Sequence, residues 1–237
     1  MKKIVLGILV FVVLASVVFA YYSESSFDDS CLSLSFDDGL KSHYEIVYPA
    51  LLGRGFGGTF FVLANMTSFE GYELMNENEM RELYEDGFEI GSHTVDHANL
   101  NVVSEEELVF EVSESKRQLE SYGFEVYSLA FPYGKFNDKV LEVSQRFYSV
   151  GRAIFNSEPR FHVYSYALEG NTSALDVCDK IKYAKENNLW LVLTMHDINS
   201  NPGEWETSIE DFNLILDRID EAEIRAESII DCKRSLE

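Results

Sequence analysis

Polar and apolar positions along this chain alternate between two periods, and the alternation predicts its elements. Leu32, Leu34 and Phe36 are interleaved with Ser33 and Ser35, a period of two that predicts a strand. The β-rich run from Gly58 to Leu63 (GTFFVL) predicts a second strand and Phe88 to Ile90 a third. Val126 to Phe131, Tyr148 to Gly151 and Leu189 to Thr194 (LWLVLT) continue the series. Helical periods fill the gaps. Asn76 with Glu79 has the form of a capping box ahead of Met80, Leu83 and Tyr84, and Gly87 ends that helix. Ser104 with Glu107 opens a helix carrying Leu108, Val112 and Leu119 on one side, ending at Gly123. Asp138 to Phe147 reads as helix, Ser173 with Asp176 caps one reaching Asn187, and Ser208 with Asp211 caps one burying Phe212, Ile215, Leu216 and Ile219.

Strand–helix alternation over most of the chain implies an α/β protein with a mainly parallel sheet and helices outside it. Periodicity alone leaves barrel and open sheet both available. With no linker, repeat or low-complexity tract, residues 27–237 read as one domain.

The first twenty residues differ from the rest. Lys2 and Lys3 precede an uncharged apolar run from Ile4, and Val18-Phe19-Ala20 resembles a small-residue cleavage site. Residues 1–20 therefore read as a secretory signal peptide, or as an N-terminal anchor if uncleaved, and the domain is expected outside the cytoplasm. Cys31, Cys178 and Cys232 allow one disulfide with one free thiol, or three free thiols. Asn65-Met66-Thr67 and Asn171-Thr172-Ser173 fit the glycosylation acceptor pattern. A formal charge of −22 argues against a nucleic-acid partner, because phosphate recognition needs a Lys/Arg patch.

Candidate chemistry falls just after the predicted strands, where α/β folds place their active face. Asp37-Asp38-Gly39 follows the first strand; as adjacent residues, the two carboxylates point different ways, so one can bind a metal while its neighbour faces a substrate. Asp-Gly also favours a plain turn. His93 and His97, four residues apart, bring two imidazoles together, and with Asp38 they make a three-ligand site with a position left open. His196 ends a buried strand and suits a general acid, the alternative being a core histidine bonded to backbone. Pro132-Tyr133-Gly134 is either a turn or a rigid loop offering the Tyr133 N–H to an oxyanion. His43 and His162 lack such context and read as structural or surface residues.

These residues resemble the motifs of the polysaccharide deacetylase family, also called the NodB homology domain or carbohydrate esterase family four. Ser35-Phe36-Asp37-Asp38-Gly39 resembles its T-F-D-D-G motif, His93-Thr94-Val95-Asp96-His97 its H-[ST]-x-x-H, and Leu193-Thr194-Met195-His196 its L-x-x-H. The resemblance implies a deformed (β/α) barrel of about seven parallel strands. It implies a divalent metal, zinc in the usual case, on Asp38, His93 and His97, with Asp37 as general base and His196 as acid. The implied partner is an acetylated polysaccharide or oligosaccharide that loses N-acetyl groups. Two departures stand out. The family's R-x-P-Y arginine is Ala130 here, and its Asp-Trp motif has no counterpart. Either another residue supports Asp37, with Arg152 the candidate, or the chain is a weakly catalytic glycan-binding protein. Hydrolysis of another ester or amide is the remaining alternative.

Overall fold

A computed structural model describes residues 30–154, 162–168 and 172–237. The leader at 1–20 and the acceptor Asn171 lie outside the described residues. Among those described, no helix is long and apolar enough to cross a membrane.

Seven parallel strands form the centre: β1 (Cys31–Phe36), β2 (Thr59–Val62), β3 (Glu89–Ser92), β4 (Ser128–Ala130), β5 (Val150–Ile154), β6 (His162–Ala167) and β7 (Trp190–Met195). They pair in chain order, and β1 pairs with β7 along its whole length from Cys31↔Trp190 to Phe36↔Met195. That pairing closes the sheet into a barrel and settles the choice that periodicity left open. The barrel is deformed. β3 and β4 share a single register pair, Ser92↔Leu129, and among the described residues the ring holds seven strands, the two-residue strand Arg225–Ala226 pairing only with the start of β1.

The helices follow their strands. A π-helical turn (His43–Val47) leads into α1 (Tyr48–Leu52); then come α2 (Glu77–Glu85), α3 (Glu105–Ser121), α4 (Asp138–Ser144), α5 (Ala174–Glu186), α6 (Ile209–Ala222) and α7 (Ile229–Leu236). Asn76 and Glu79 form the full reciprocal capping box on α2. Ser104 and Ser208 accept from Glu107 and Asp211 as their spacing predicts, whereas Ser173 accepts from Leu175 rather than Asp176. α4 ends at Ser144 instead of reaching Phe147. The chain turns early there and buries Tyr148, whose hydroxyl donates to Val112 O at 3.1 Å. For the same reason β5 spans Val150–Ile154, displaced from the predicted Tyr148–Gly151. β6 has no counterpart in the periodicity reading.

The alternation in β1 has a plain physical meaning. Leu32, Leu34 and Phe36 belong to the main core between sheet and helices. Ser33 and Ser35 point into the narrow barrel, where Ser33 accepts from Trp190 Nε1 (3.1 Å) and Ser35 shares a hydrogen bond with Thr194 (2.8 Å). The interior is therefore small-residue and polar, with an apolar plug of Phe61, Ala130, Val150, Val192, Ile229 and Ile230. Ile229 and Ile230 come from the first turn of α7, which seals the N-terminal end of the barrel. The Ile229 N–H donates to Thr59 Oγ1 (2.9 Å) and the Ile230 N–H to Glu89 Oε2 (3.1 Å). A Cys31–Cys232 disulfide ties α7 to β1, leaving Cys178 free. Of the two cysteine states open in the sequence, this is one bridge plus one thiol.

Candidate active site

The other end of the barrel gathers the residues singled out above. Asp37 follows β1, and its N–H donates to Met195 O (3.0 Å), which sets it beside His196 at the end of β7. Asp38 and Gly39 take φ of 70° and 71°, so the predicted Asp-Gly turn is present. A Cβ at Gly39 would lie 3.0 Å from Val62 Cγ1. This turn carries the site, so the two readings of the dipeptide are compatible.

The His93 N–H donates to Val62 O (2.9 Å), fixing the start of the following loop against β2. The His93 Nδ1–H donates to Ala130 O (2.9 Å), which sets the tautomer and leaves the Nε2 lone pair free. Nε2 of His93 and Nε2 of His97 lie 3.5 and 3.7 Å from the same oxygen, Asp38 Oδ1. Burial, the leading cause in both, lowers the His93 pKa to about 3 and the His97 pKa to about 4, so both rings are neutral at neutral pH. With both rings neutral, these contacts are not ion pairs. Burial, then the charges of Asp37 and Glu70, push the Asp38 carboxyl up to about 8. Asp38 Oδ1 and His97 Nδ1 are buried with no hydrogen-bond partner among the described residues.

Such an arrangement is unfavourable until a cation enters it. A divalent ion would give the three converging donors a shared partner and remove the penalty on the Asp38 charge. The donor set of two imidazoles and one carboxylate matches a catalytic zinc site, so Asp38, His93 and His97 fit the metal that the motifs imply.

Asp37 is 2% exposed, and Arg152 Nη2 donates to both of its carboxylate oxygens. Burial raises the Asp37 pKa, but Arg152, His93 and His196 outweigh it and bring it to about 2. Arg152 is itself fully buried and projects from β5 with its guanidinium 5.2 Å from the Phe61 ring centroid. Where the motif has Ala130 on β4, the neighbouring strand supplies the cation: Ala130 and Arg152 are register partners across β4 and β5. His196 Nε2 lies 3.9 Å from Asp37 Oδ2. His43, expected to be structural or surface, is fully buried and holds this strand end, its Nε2–H donating to His196 O at 2.9 Å. His162 only opens β6.

Tyr133 sits in a 3₁₀ turn with φ 60°, its ring 4.6 Å from that of His97. The turn's own hydrogen bonds come from the N–H groups of Gly134 and Lys135, to Phe131 O (2.8 Å) and Pro132 O (3.1 Å). Among the described residues, seven non-glycine positions have positive φ, and Asp38, Thr94, His97 and Tyr133 are four of them. At about 1 kcal/mol or more each, such strain persists only where surrounding contacts enforce it, and here it concentrates in the motif loops.

Some neighbours were not foreseen. A hairpin, Ser68–Phe69 against Tyr72–Glu73, leans over the site and puts the Phe69 ring 4.8 Å from that of His97. Its short strands carry too few residues to show a period. Glu111, inside α3, is 2% exposed and bonds to the loop between the two histidines. A carboxylate in phase with Leu108, Val112 and Leu119 was a readable signal.

With this geometry in view, comparison with known proteins defines the class. Residues 24–148, more than half the chain, match the model of the polysaccharide deacetylase family, and the chain belongs to that family. A Staphylococcus aureus poly-beta-1,6-N-acetyl-D-glucosamine N-deacetylase is 26% identical over 142 residues, covering 54% of this chain and 49% of that protein. The Bacillus subtilis protein YxkH, provisionally named a polysaccharide deacetylase, is 26% identical over 119 residues, 50% of this chain and 42% of its own. The chain thus spans about half the length of the curated relatives it matches. In fold it is similar to the carbohydrate esterase family 4 domain of a xylanase from the hindgut metagenome of Trinervitermes trinervoides. That likeness has a TM-score of 0.64 at 17% identity, over 86% of this chain and 90% of that one. Arg152 and His196 lie beyond the family match, so their place in the site rests on geometry.

Proposed function

We propose that this chain is a metal-dependent hydrolase that removes N-acetyl groups from an extracytoplasmic polysaccharide of N-acetylglucosamine-type sugars, with zinc as its ion. The observation carrying this reading is the convergence of Asp38, His93 and His97 on one point, with Asp37 and His196 beside it. Family membership and the substrate named for the S. aureus relative support the choice of sugar. The apolar leader and the Cys31–Cys232 bridge support export to an oxidising compartment.

Asp38, His93 and His97 would hold the ion, which when bound supplies Lewis acidity toward the acetyl carbonyl and an attacking water. Asp37, kept ionised and fixed by Arg152, accepts the proton as the water oxygen bonds to the carbonyl carbon. The Tyr133 N–H, left over from the turn's own bonding, points to a donor role toward the developing oxyanion. His196 then gives a proton to the amide nitrogen as the carbon–nitrogen bond breaks, leaving acetate and a free amino sugar. Arg152 keeps Asp37 ionised, so Asp37 carries no proton in the resting site, and this supports His196 as the acid.

Acetate release from N-acetylglucosamine oligomers by zinc-loaded protein is the test. Release that is abolished by chelation and by Asp37→Asn supports the reading. Protein that binds zinc yet releases acetate only from O-acetylated glycans would move the assignment to an esterase. Protein inert on every acetylated glycan would overturn it.

A further inference from the structure

The loop carrying both histidines has an unusual anchor. Between His93 and His97 the chain passes through Thr94 with φ 71° and reaches His97 with φ 64°. Two non-glycine departures into the left-handed region within four residues need an external restraint. Local hydrogen bonds supply part of it: Thr94 N–H to Ser92 Oγ (3.2 Å) and His97 N–H to Thr94 Oγ1 (3.1 Å). The remaining backbone donors are taken from outside the loop. Glu111 Oε2 accepts from the Val95 N–H at 2.9 Å and from the Asp96 N–H at 3.4 Å.

Glu111 is an unexpected group to find there. It lies on the inward face of α3 among Leu108, Val112 and Leu119, and it is 2% exposed. No Lys or Arg among the described residues pairs with it. Burying a carboxylate without a cation is costly, so a fold keeps one where its hydrogen bonds are needed. One turn further along α3, Ser115 shares a hydrogen bond with Ser92 at 2.9 Å, at the start of the same loop. α3 therefore grips the loop at two points.

We infer that Glu111 is a positioning residue for the metal centre: its carboxylate holds the Val95–Asp96 peptide so that His93 and His97 present Nε2 toward Asp38 before any ion arrives. The inference rests on the reading of Asp38, His93 and His97 as metal ligands, and it extends that site inward to α3. Without this acceptor, the loop relaxes toward ordinary backbone angles, and the His97 ring leaves its place relative to His93.

Zinc titration of chelator-stripped protein, followed by calorimetry and by the zinc-induced rise in Tm, separates the possibilities. Glu111→Leu fills the volume without an acceptor, and Glu111→Gln keeps one. Wild type binds one zinc, Glu111→Gln stays within about 3-fold of it, and Glu111→Leu binds about 10–100-fold more weakly with a smaller zinc-induced Tm rise. A residue needed only for folding would instead lower Tm equally with and without zinc and leave Kd unchanged, which would overturn the inference. Glutamine as weak as leucine would overturn it too. Should Glu111→Leu not fold, amide exchange in metal-free wild type decides. A slowly exchanging Val95 amide supports the clamp, and a rapidly exchanging one refutes it. If wild type that melts cooperatively binds no zinc, the ligand reading itself fails and takes this inference with it.

Discussion

Both ends of the barrel bury carboxylates, and they treat them in opposite ways. At the N-terminal end Glu89 is saturated: Ser128 Oγ donates at 2.6 Å, Thr59 Oγ1 at 2.8 Å and the Ile230 N–H at 3.1 Å. The backbone around it is regular, α7 closes over it, and a disulfide secures the closure. At the opposite end Asp38 Oδ1 faces the Nε2 atoms of two neutral imidazoles and has no hydrogen-bond partner among the described residues, on backbone that leaves the favoured regions repeatedly. A buried polar group with all its partners is architecture. One lacking them, in a fold that satisfies its other buried carboxylates, marks where a ligand belongs.

The comparison can be broken at several places. Asp38→Asn has the largest expected effect, a loss of about 10³-fold or more in acetate release as a ligand is removed. In chelator-stripped protein above pH 8, where the Asp38 carboxyl is ionised, the same change should raise Tm by a few degrees, because it removes a buried charge facing Asp37. A lower Tm for this variant without metal would mean that Asp38 serves stability after all. Arg152→Met joins the two behaviours, since Arg152 holds the proposed base Asp37 through Nη2 while its buried Nε and Nη1 lack partners among the described residues. We expect roughly 10²-fold lower kcat together with about 3–5 kcal/mol less stability, the cost of leaving Asp37 buried and unpaired. Normal turnover in that variant would show that Asp37 needs no support.

At the N-terminal end the effects should appear in stability alone. The Cys31–Cys232 bridge closes a separation of 201 residues, and replacing both cysteines by serine should cost about 2–4 kcal/mol, roughly 5–15 °C in Tm. Turnover at room temperature should be unchanged. Glu89→Gln gives the smallest effect and the one with a pH signature. Burial raises the Glu89 carboxyl above its ordinary 4.5, so as pH rises past that value the unfolded chain ionises first and wild type loses stability. Glutamine cannot ionise. Its cost, about 1–2 kcal/mol near pH 4 through poorer hydrogen bonding, should therefore shrink toward pH 8. Denaturant melts of both proteins at the two pH values would check this, and a growing gap would contradict it.

What the sequence revealed tracks how local each feature is. Asp37, Asp38, His93 and His97 were legible because each motif is a few residues long and follows a strand whose alternation is plain, as in Leu32, Leu34 and Phe36. The caps at Asn76, Ser104 and Ser208 were legible for the same reason. Features joining distant parts of the chain were legible as candidates at most. Arg152 was a candidate because it follows a predicted strand, but it meets Asp37 across 115 residues, and the pairing of β4 with β5 is what shows that it fills the place vacated at Ala130. β6 carries no apolar run and is defined by its neighbours β5 and β7. Three cysteines permit three pairings, and the docking of α7 selects Cys31 with Cys232. The hairpin at Ser68–Glu73 was too short to announce itself, although it supplies Phe69 to the site.

Zinc-edge anomalous diffraction from crystals grown with the metal tests the central claim most directly. The account predicts one strong peak enclosed by the Asp38 carboxylate and Nε2 of His93 and His97, with Asp37 still held by Arg152. A peak at another cluster, or none at that point in zinc-saturated protein, would contradict it.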